Sequence, residues 1–244
     1  MRIMRFSVLT LFPEIIENLM HTSITGRALD KNVFELNLIQ IRDYAINDYG
    51  KVDDYLFGGG TGMLMMAEPI YQAWNSAEKN YGKPDRTIYL SPKGKTFSQN
   101  KAKELSDLDH VLLLCGHYEG VDQRVLDNIV DEEISIGDYV LTGGELAACV
   151  VMDAVSRLIP GVLPDETAFV EESHMGGLLE QPHYTRPADW RGKKVPEVLL
   201  SGHQARIREW QHLMSIRETL NKRPELLKDS DISQYDWHKL IELE

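Results

Sequence analysis

The sequence predicts an α/β protein with a mainly parallel sheet, followed by a small helical domain. Short β-rich apolar runs alternate with helical patterns as far as Gly161, and such alternation marks consecutive strand–helix units. Two of the runs, Thr87–Leu90 and Val111–Cys115, are continuously apolar, as strands covered on both faces are. After Gly161 the texture turns polar, then Pro-punctuated, then helical.

The elements follow in order. Phe6–Leu11 reads as the first strand, and Pro13–His21 as a helix with proline in its first turn. Leu36–Ile41 is the second strand. Ala67–Lys79 places Ile70, Ala73, Trp74 and Ala77 at helical spacing. The strands Thr87–Leu90 and Val111–Cys115 are followed by helices over Asn100–Ser106 and Val121–Val130. Tyr139–Leu141 starts as a strand, breaks at Thr142-Gly143-Gly144, and yields to a helix over Gly144–Leu158 that Pro160-Gly161 stops. Val162–Ser173 is polar and acidic without periodicity. From Gln204, Ile207, Trp210, Leu213, Met214 and Leu220 mark one helix face. Pro224 ends that helix, and Trp237–Leu243 adds a short one. The domains are 1–161, a linker over 162–178, and a helical domain over 179–244.

Composition narrows the function. No apolar run reaches the ~18–20 residues of a membrane span, and the apolar start is cut by Pro13-Glu14, unlike a signal peptide. The two cysteines, Cys115 and Cys149, lie in apolar runs outside any C-x-x-C, as buried thiols of a reducing cytoplasm do. The net charge is −12, yet it is unevenly spread. Asp131–Glu180 holds eleven Asp/Glu and one basic residue, Arg157, whereas Pro182–Arg223 holds nine Lys/Arg against four Asp/Glu. The second segment is either a solvated helix face or a phosphate-binding surface.

Three strands end in glycine-bearing turns: SPKGK after Thr87–Leu90, GHYEG after Val111–Cys115, and TGGE after Tyr139–Leu141. Ligands of open α/β sheets sit beyond the carboxyl ends of the strands, and glycines let main chain approach them closely. A P-loop and a G-x-G-x-x-G are absent, FGGGTGM included, as are zinc-ligand spacings; Cys115 and His117 fit packing plus a turn.

The chain resembles the bacterial tRNA (guanine-N1)-methyltransferases of the TrmD type, in the SPOUT class. The likeness rests on LTLFPE, TGRAL, YLSPKG, CGHYEG, DEEISIGDYVLTGGE, DAVSRLIPGVL, GLLEQPHYTRP and VPEVLLSGH, and it spans nearly the whole chain. The resemblance implies a deep trefoil knot in the first domain and S-adenosylmethionine as methyl donor. It also implies transfer to N1 of guanosine 37 of tRNA, beside the anticodon, dependence on Mg²⁺, and a homodimer whose active site lies at the interface. The implied cofactor residues are Tyr89, Leu90, Ser91 and Pro92; Gly116, Tyr118, Glu119 and Gly120; Ser135, Ile136, Gly137, Asp138, Tyr139, Val140 and Leu141; and Gly143 and Gly144. The implied tRNA contacts are Ser173, His183, Arg186, Ser201 and His203.

Guanine N1 carries a proton and is a poor nucleophile, so the transfer needs a carboxylate base and a partner for charge arriving on O6. Arg157 fits the second role and the family motif falls on it, although an arginine after a helix also answers the macrodipole. The family's Asp-Ser pair is Glu172-Ser173 here, which makes Glu172 the expected base, with Glu171 and Glu180 as fallbacks. Other departures are His117 for an arginine, Leu56 and Thr61 for prolines, and Ala147 for a proline. Two alternatives stand beside this: a related knotted enzyme forming ribose 2′-O-methyl, which needs no base for N1, and a non-catalytic RNA-binding relative, which would take up no methyl donor.

Overall fold

The structure, a computed structural model, describes residues 3–164, 172–230 and 232–242. The chain divides into two compact units, Met1–Glu166 and Thr167–Glu244.

In the first unit, β1 (Met4–Thr10) leads through α1 (Pro13–Met20) and α2 (Ser23–Asp30) to β2 (Phe34–Gln40). A hairpin, β3 (Asp53–Tyr55) and β4 (Met63–Met65), precedes α3 (Ala67–Tyr81). Then come β5 (Arg86–Thr96), α4 (Gln99–Ser106), β6 (His110–Cys115), α5 (Gln123–Ile129), β7 (Glu132–Ser135) and α6 (Glu145–Ser156). The five long strands form one parallel sheet in the order β2-β1-β6-β5-β7. All six residues of β6, which has β1 on one side and β5 on the other, are buried. That is why this strand reads as unbroken apolar sequence. One face of the sheet packs Phe6, Val8, Leu113 and Ile134 with α6, and the other packs Leu9, Leu112 and Leu114 with α3 and α5. A fully buried side chain such as Phe6 contributes roughly 1.5–3 kcal/mol by leaving water.

The structure differs from the sequence expectations at particular places. Tyr139–Leu141 is not a strand: β7 ends at Ser135 and the chain is irregular from there to α6. SPKGK does not end its strand either. β5 pairs Leu90 with Ile134, bulges, and pairs Lys95 with the same Ile134. Gly94 closes the bulge, because a Cβ there would stand 2.5 Å from the main chain of Glu133 and Ile134. The helix expected from Val121 starts at Gln123, with the Asp122 side chain accepting the Arg124 N–H at 3.0 Å as its cap. α2 and the β3–β4 hairpin had no counterpart in the expectation.

β1 and β6 also share a buried polar pair. Ser7 Oγ lies 2.8 Å from His110 Nε2, and burial, with Arg5 nearby, holds the imidazole below its ordinary value of 6.5. A histidine kept neutral by the fold contributes stability above the unfolded pKa and loses it as the pH falls through the lower folded one. Urea midpoints are therefore expected to be flat above about pH 6.5 and to fall below it. His110→Gln is expected to flatten that fall, and an identical acid limb in the variant would count against His110 as its source.

The second unit holds a small hairpin, β8 (Asp189–Trp190) and β9 (Lys193–Lys194), then α7 (Glu197–Leu200), α8 (Gln204–Lys222) and α9 (Gln234–Glu242). Leu213, Met214 and Ile216 of α8 bury with Leu240 of α9, and Trp210 packs beside them. Leu220, expected on the apolar face, is 41% exposed. The buried place near the end of α8 belongs to Thr219, whose hydroxyl donates to Ser215 O at 2.7 Å and accepts the Leu179 N–H at 2.9 Å.

Candidate functional site

At the carboxyl edge of β5, β6 and β7 lies a cavity of about 470 Å³, within the usual range for a small-molecule site. The SPKG bulge, the turn after β6 and the loop before α6 wall it. Each wall is held by its own backbone logic. In the bulge, Ser91 Oγ accepts the Lys93 N–H at 3.1 Å. In the turn after β6, Tyr118 and Gly120 take left-handed φ of 58° and 118°. The N–H of Gly120 donates back to His117 O at 3.0 Å.

The β3–β4 hairpin braces that turn. The Glu119 N–H donates to Met63 O at 3.0 Å, the Met65 N–H to Gly120 O at 2.9 Å, and the Asp122 N–H to Met65 O at 3.0 Å. Glycine suits position 62 because its φ is 116°, a backbone conformation strained for any other residue. This gives FGGGTGM a structural part beside the cavity.

The loop before α6 is latched to the same turn. Gly143 bridges His117, and the Gly144 N–H donates to Gly116 O at 2.9 Å. A Cβ on Gly144 would lie 2.7 Å from Cys115 Cα. A Cβ on Gly143 would lie 2.4 Å from both Glu145 Oε2 and His117 Nδ1. Glu145 is buried and accepts the Thr10 hydroxyl at 2.7 Å. The break at Thr142-Gly143-Gly144 thus lets the loop before α6 and the turn after β6 touch through main chain.

Sixteen of the seventeen expected cofactor residues line this cavity; Asp138 is exposed and does not. Residues not expected there also line it, among them Leu64, Lys93, Gln123 and Glu133, with His117 and Ala147. Glu133 pairs in register with Tyr89, a neighbourhood that only the sheet order reveals. Burial, and then the Glu133 carboxylate, push the Tyr89 hydroxyl up to about 12. Glu133 Oε2 and His117 Nδ1 are buried without a hydrogen-bond partner among the described residues. A glycine-walled chamber of mixed polar and apolar lining fits a small ligand that carries both apolar surface and hydrogen-bonding groups. Burial, with Glu145 next in effect, pushes the Cys115 thiol well above its ordinary value and Cys149 to about 11, which favours the protonated thiol at both.

Arg157 caps the end of α6, its N–H donating to Asp153 O at 3.2 Å. Glu172 and Ser173 belong to the second unit. The Met175 N–H donates to Glu172 O at 3.1 Å, the His174 N–H to Leu178 O at 3.0 Å, and the Glu180 N–H to Ser173 Oγ at 3.0 Å. Glu180 Oε1 also stands 3.4 Å from His183 Nε2. Glu171 lies outside the described residues. Arg186 is exposed, and Ser201 Oγ accepts the N–H of His203, the residue that opens α8, at 3.1 Å. Among the described residues no three His, Cys, Asp or Glu gather as metal ligands, and no helix is long and apolar enough to cross a membrane.

A parallel sheet with a glycine-walled cavity at its carboxyl edge defines an α/β class of small-molecule-binding enzyme, here followed by a helical unit. The comparisons with known proteins give the family. The model of tRNA (guanine-1)-methyltransferase TrmD matches residues 4–229, and the chain belongs to that family. It is 56% identical over 223 residues to the tRNA (guanine-N(1)-)-methyltransferase of Ruminiclostridium cellulolyticum, covering 91% of this chain and 96% of that one. It is 53% identical over 230 residues to the protein of the same name from Clostridioides difficile, covering 93% and 99%. Among solved structures it is similar to the tRNA (m1G37) methyltransferase of Aquifex aeolicus, with a TM-score of 0.76, 42% identity, and 93% and 95% coverage. The chain is thus a tRNA (guanine-N1)-methyltransferase.

Proposed function

We propose that the chain methylates N1 of guanosine 37, beside the anticodon, and that the carboxyl-edge cavity holds the methyl donor. A methyltransferase of this family uses S-adenosylmethionine. The observation that carries the assignment is the convergence of three glycine-bearing segments on one chamber in which Glu133 Oε2 is buried without a hydrogen bond among the described residues. Bound there, S-adenosylmethionine supplies an electrophilic methyl group on a sulfonium. Tyr89, Leu90, Ile134 and Leu141, with the glycines Gly116 and Gly144, line the chamber and would hold it. The chain passage at Thr142-Gly143-Gly144 is where the trefoil knot of this fold is expected.

Glu172 accepts the N1 proton, which leaves the N1 electron pair free to form the new bond to carbon. Arg157 donates hydrogen bonds to O6 as charge moves onto it, an electrostatic stabilisation of the transition state. The two groups lie in different units. Ser173, His183, Arg186, Ser201 and His203 contact the RNA. The enzyme acts as a homodimer in the cytoplasm. In support of the dimer, α1 and α6 pack together and leave Ile15, Leu19, Leu146 and Val150 exposed, an apolar area of the kind that a partner covers. Mg²⁺ assists without a residue assignment.

The test is incubation with labelled methyl donor and tRNA transcripts carrying guanosine or adenosine at position 37. Labelled 1-methylguanosine is expected from the first transcript alone. Equal labelling of both, or a ribose-methylated product, would overturn the assignment.

A further inference from the structure

The Asp189–Lys194 hairpin takes no part in the roles above. Arg191 and Gly192 form its two-residue turn with φ of 54° and 80°, the left-handed pair that a type I′ hairpin requires. Asp189 Oδ1 accepts the Gly192 N–H at 2.8 Å, and the Val195 N–H donates to Ala188 O at 2.9 Å, so the tip is held from both ends. The register pairs Trp190 with Lys193 and Asp189 with Lys194. Cross-strand partners share a face, which sets the indole beside Lys193.

Trp190 is 56% exposed, and the Arg191 guanidinium stands 5.2 Å from its ring centroid. Arg191, Lys193 and Lys194 are exposed as well, and none of the three has an acidic partner among the described residues. Lys222, Arg223 and Lys239 of the same unit each hold a carboxylate. The turn therefore presents a half-exposed indole and three cations without an acidic partner among the described residues.

An acidic peptide would satisfy the cations and leave the indole wet. An apolar segment would cover the indole and leave the cations unpaired. A single-stranded stretch of RNA answers both, with phosphates for the cations and a base face for the ring. We propose that this hairpin is a second RNA contact, in which Trp190 stacks on a tRNA base other than the methylated guanine and Arg191, Lys193 and Lys194 neutralise the adjoining phosphates. The inference rests on tRNA being the substrate of the proposed function.

The test uses the full chain and measures tRNA affinity over a KCl series, with the thermal midpoint as the folding control. Trp190→Ala is expected to weaken binding about 5- to 100-fold with the salt slope unchanged, and Trp190→Phe to recover most of it. Lys193→Ala with Lys194→Ala is expected to lower affinity and to reduce the slope by about 2. This double variant changes only exposed charge and keeps the test valid should Trp190→Ala fold poorly. Wild-type affinity and slope in both variants would overturn the inference, as would equal competition by polyglutamate. If those same preparations still form 1-methylguanosine, the hairpin assignment alone has failed and the proposed function stands.

Discussion

Glu172→Gln is expected to lower kcat by about 10²–10⁴-fold, the usual cost of losing a general base, while affinity for S-adenosylmethionine stays at the wild-type level. The amide keeps the size of the carboxylate but cannot take the N1 proton. The segment that carries Glu172 is not loose chain. Hydrogen bonds from Met175, His174 and Glu180 to Glu172 O, Leu178 O and Ser173 Oγ close it into a compact turn, so the carboxylate is presented from an ordered support. Glu180, whose carboxylate faces His183, is the alternative base. Glu172→Asp is expected to retain most turnover, since it restores the acid usual in the family, and Glu171→Gln is expected to do little. Single-turnover assays with saturating donor separate the cases. Near-wild-type rates in Glu172→Gln alongside a collapse in Glu180→Gln would move the base to Glu180.

Gly143→Val is expected to weaken methyl-donor binding strongly. The reason is close approach, not a left-handed backbone: Glu145 and His117 atoms already occupy the position of the new Cβ. Glu145 is buried and held by Thr10, so it has little room to withdraw. Overpacking of this kind costs about 1–3 kcal/mol, which expressed in the pocket alone is a loss of roughly 5- to 150-fold in affinity. Gly143→Ala should fall between the two. Calorimetric titration checks this, and a folded Gly143→Val protein with unchanged uptake would remove the loop before α6 from the site.

The parallel core was legible because burial on both faces leaves a strand such as Val111–Cys115 no polar positions. The glycine turns were legible as exceptions to that pattern. What could not be read depends on partners distant in sequence. Ser-Pro-Lys-Gly has the composition of a turn, and only the return of Lys95 to Ile134 makes it a bulge. Tyr139–Leu141 has strand composition, but β7 ends at Ser135 and leaves these residues to line the cavity. Glu133 looked like one acid in an acidic run until register set it beside Tyr89. Trp190 sits in strands of two residues each, too short for any period to show. The base and its arginine came from the family likeness, since a lone linker carboxylate carries no pattern of its own.

The strand order β2-β1-β6-β5-β7 bears on how the chain is born. β1 can pair with β2 as soon as both leave the ribosome, but its other edge waits for β6, which begins at His110. At ~5–20 residues per second, the roughly seventy residues between β2 and β6 leave that edge open for about 3–15 seconds. An open apolar edge is a template for pairing with a neighbouring chain. The nascent protein is thus most exposed to aggregation, and to capture by a chaperone, before its catalytic half has been synthesised.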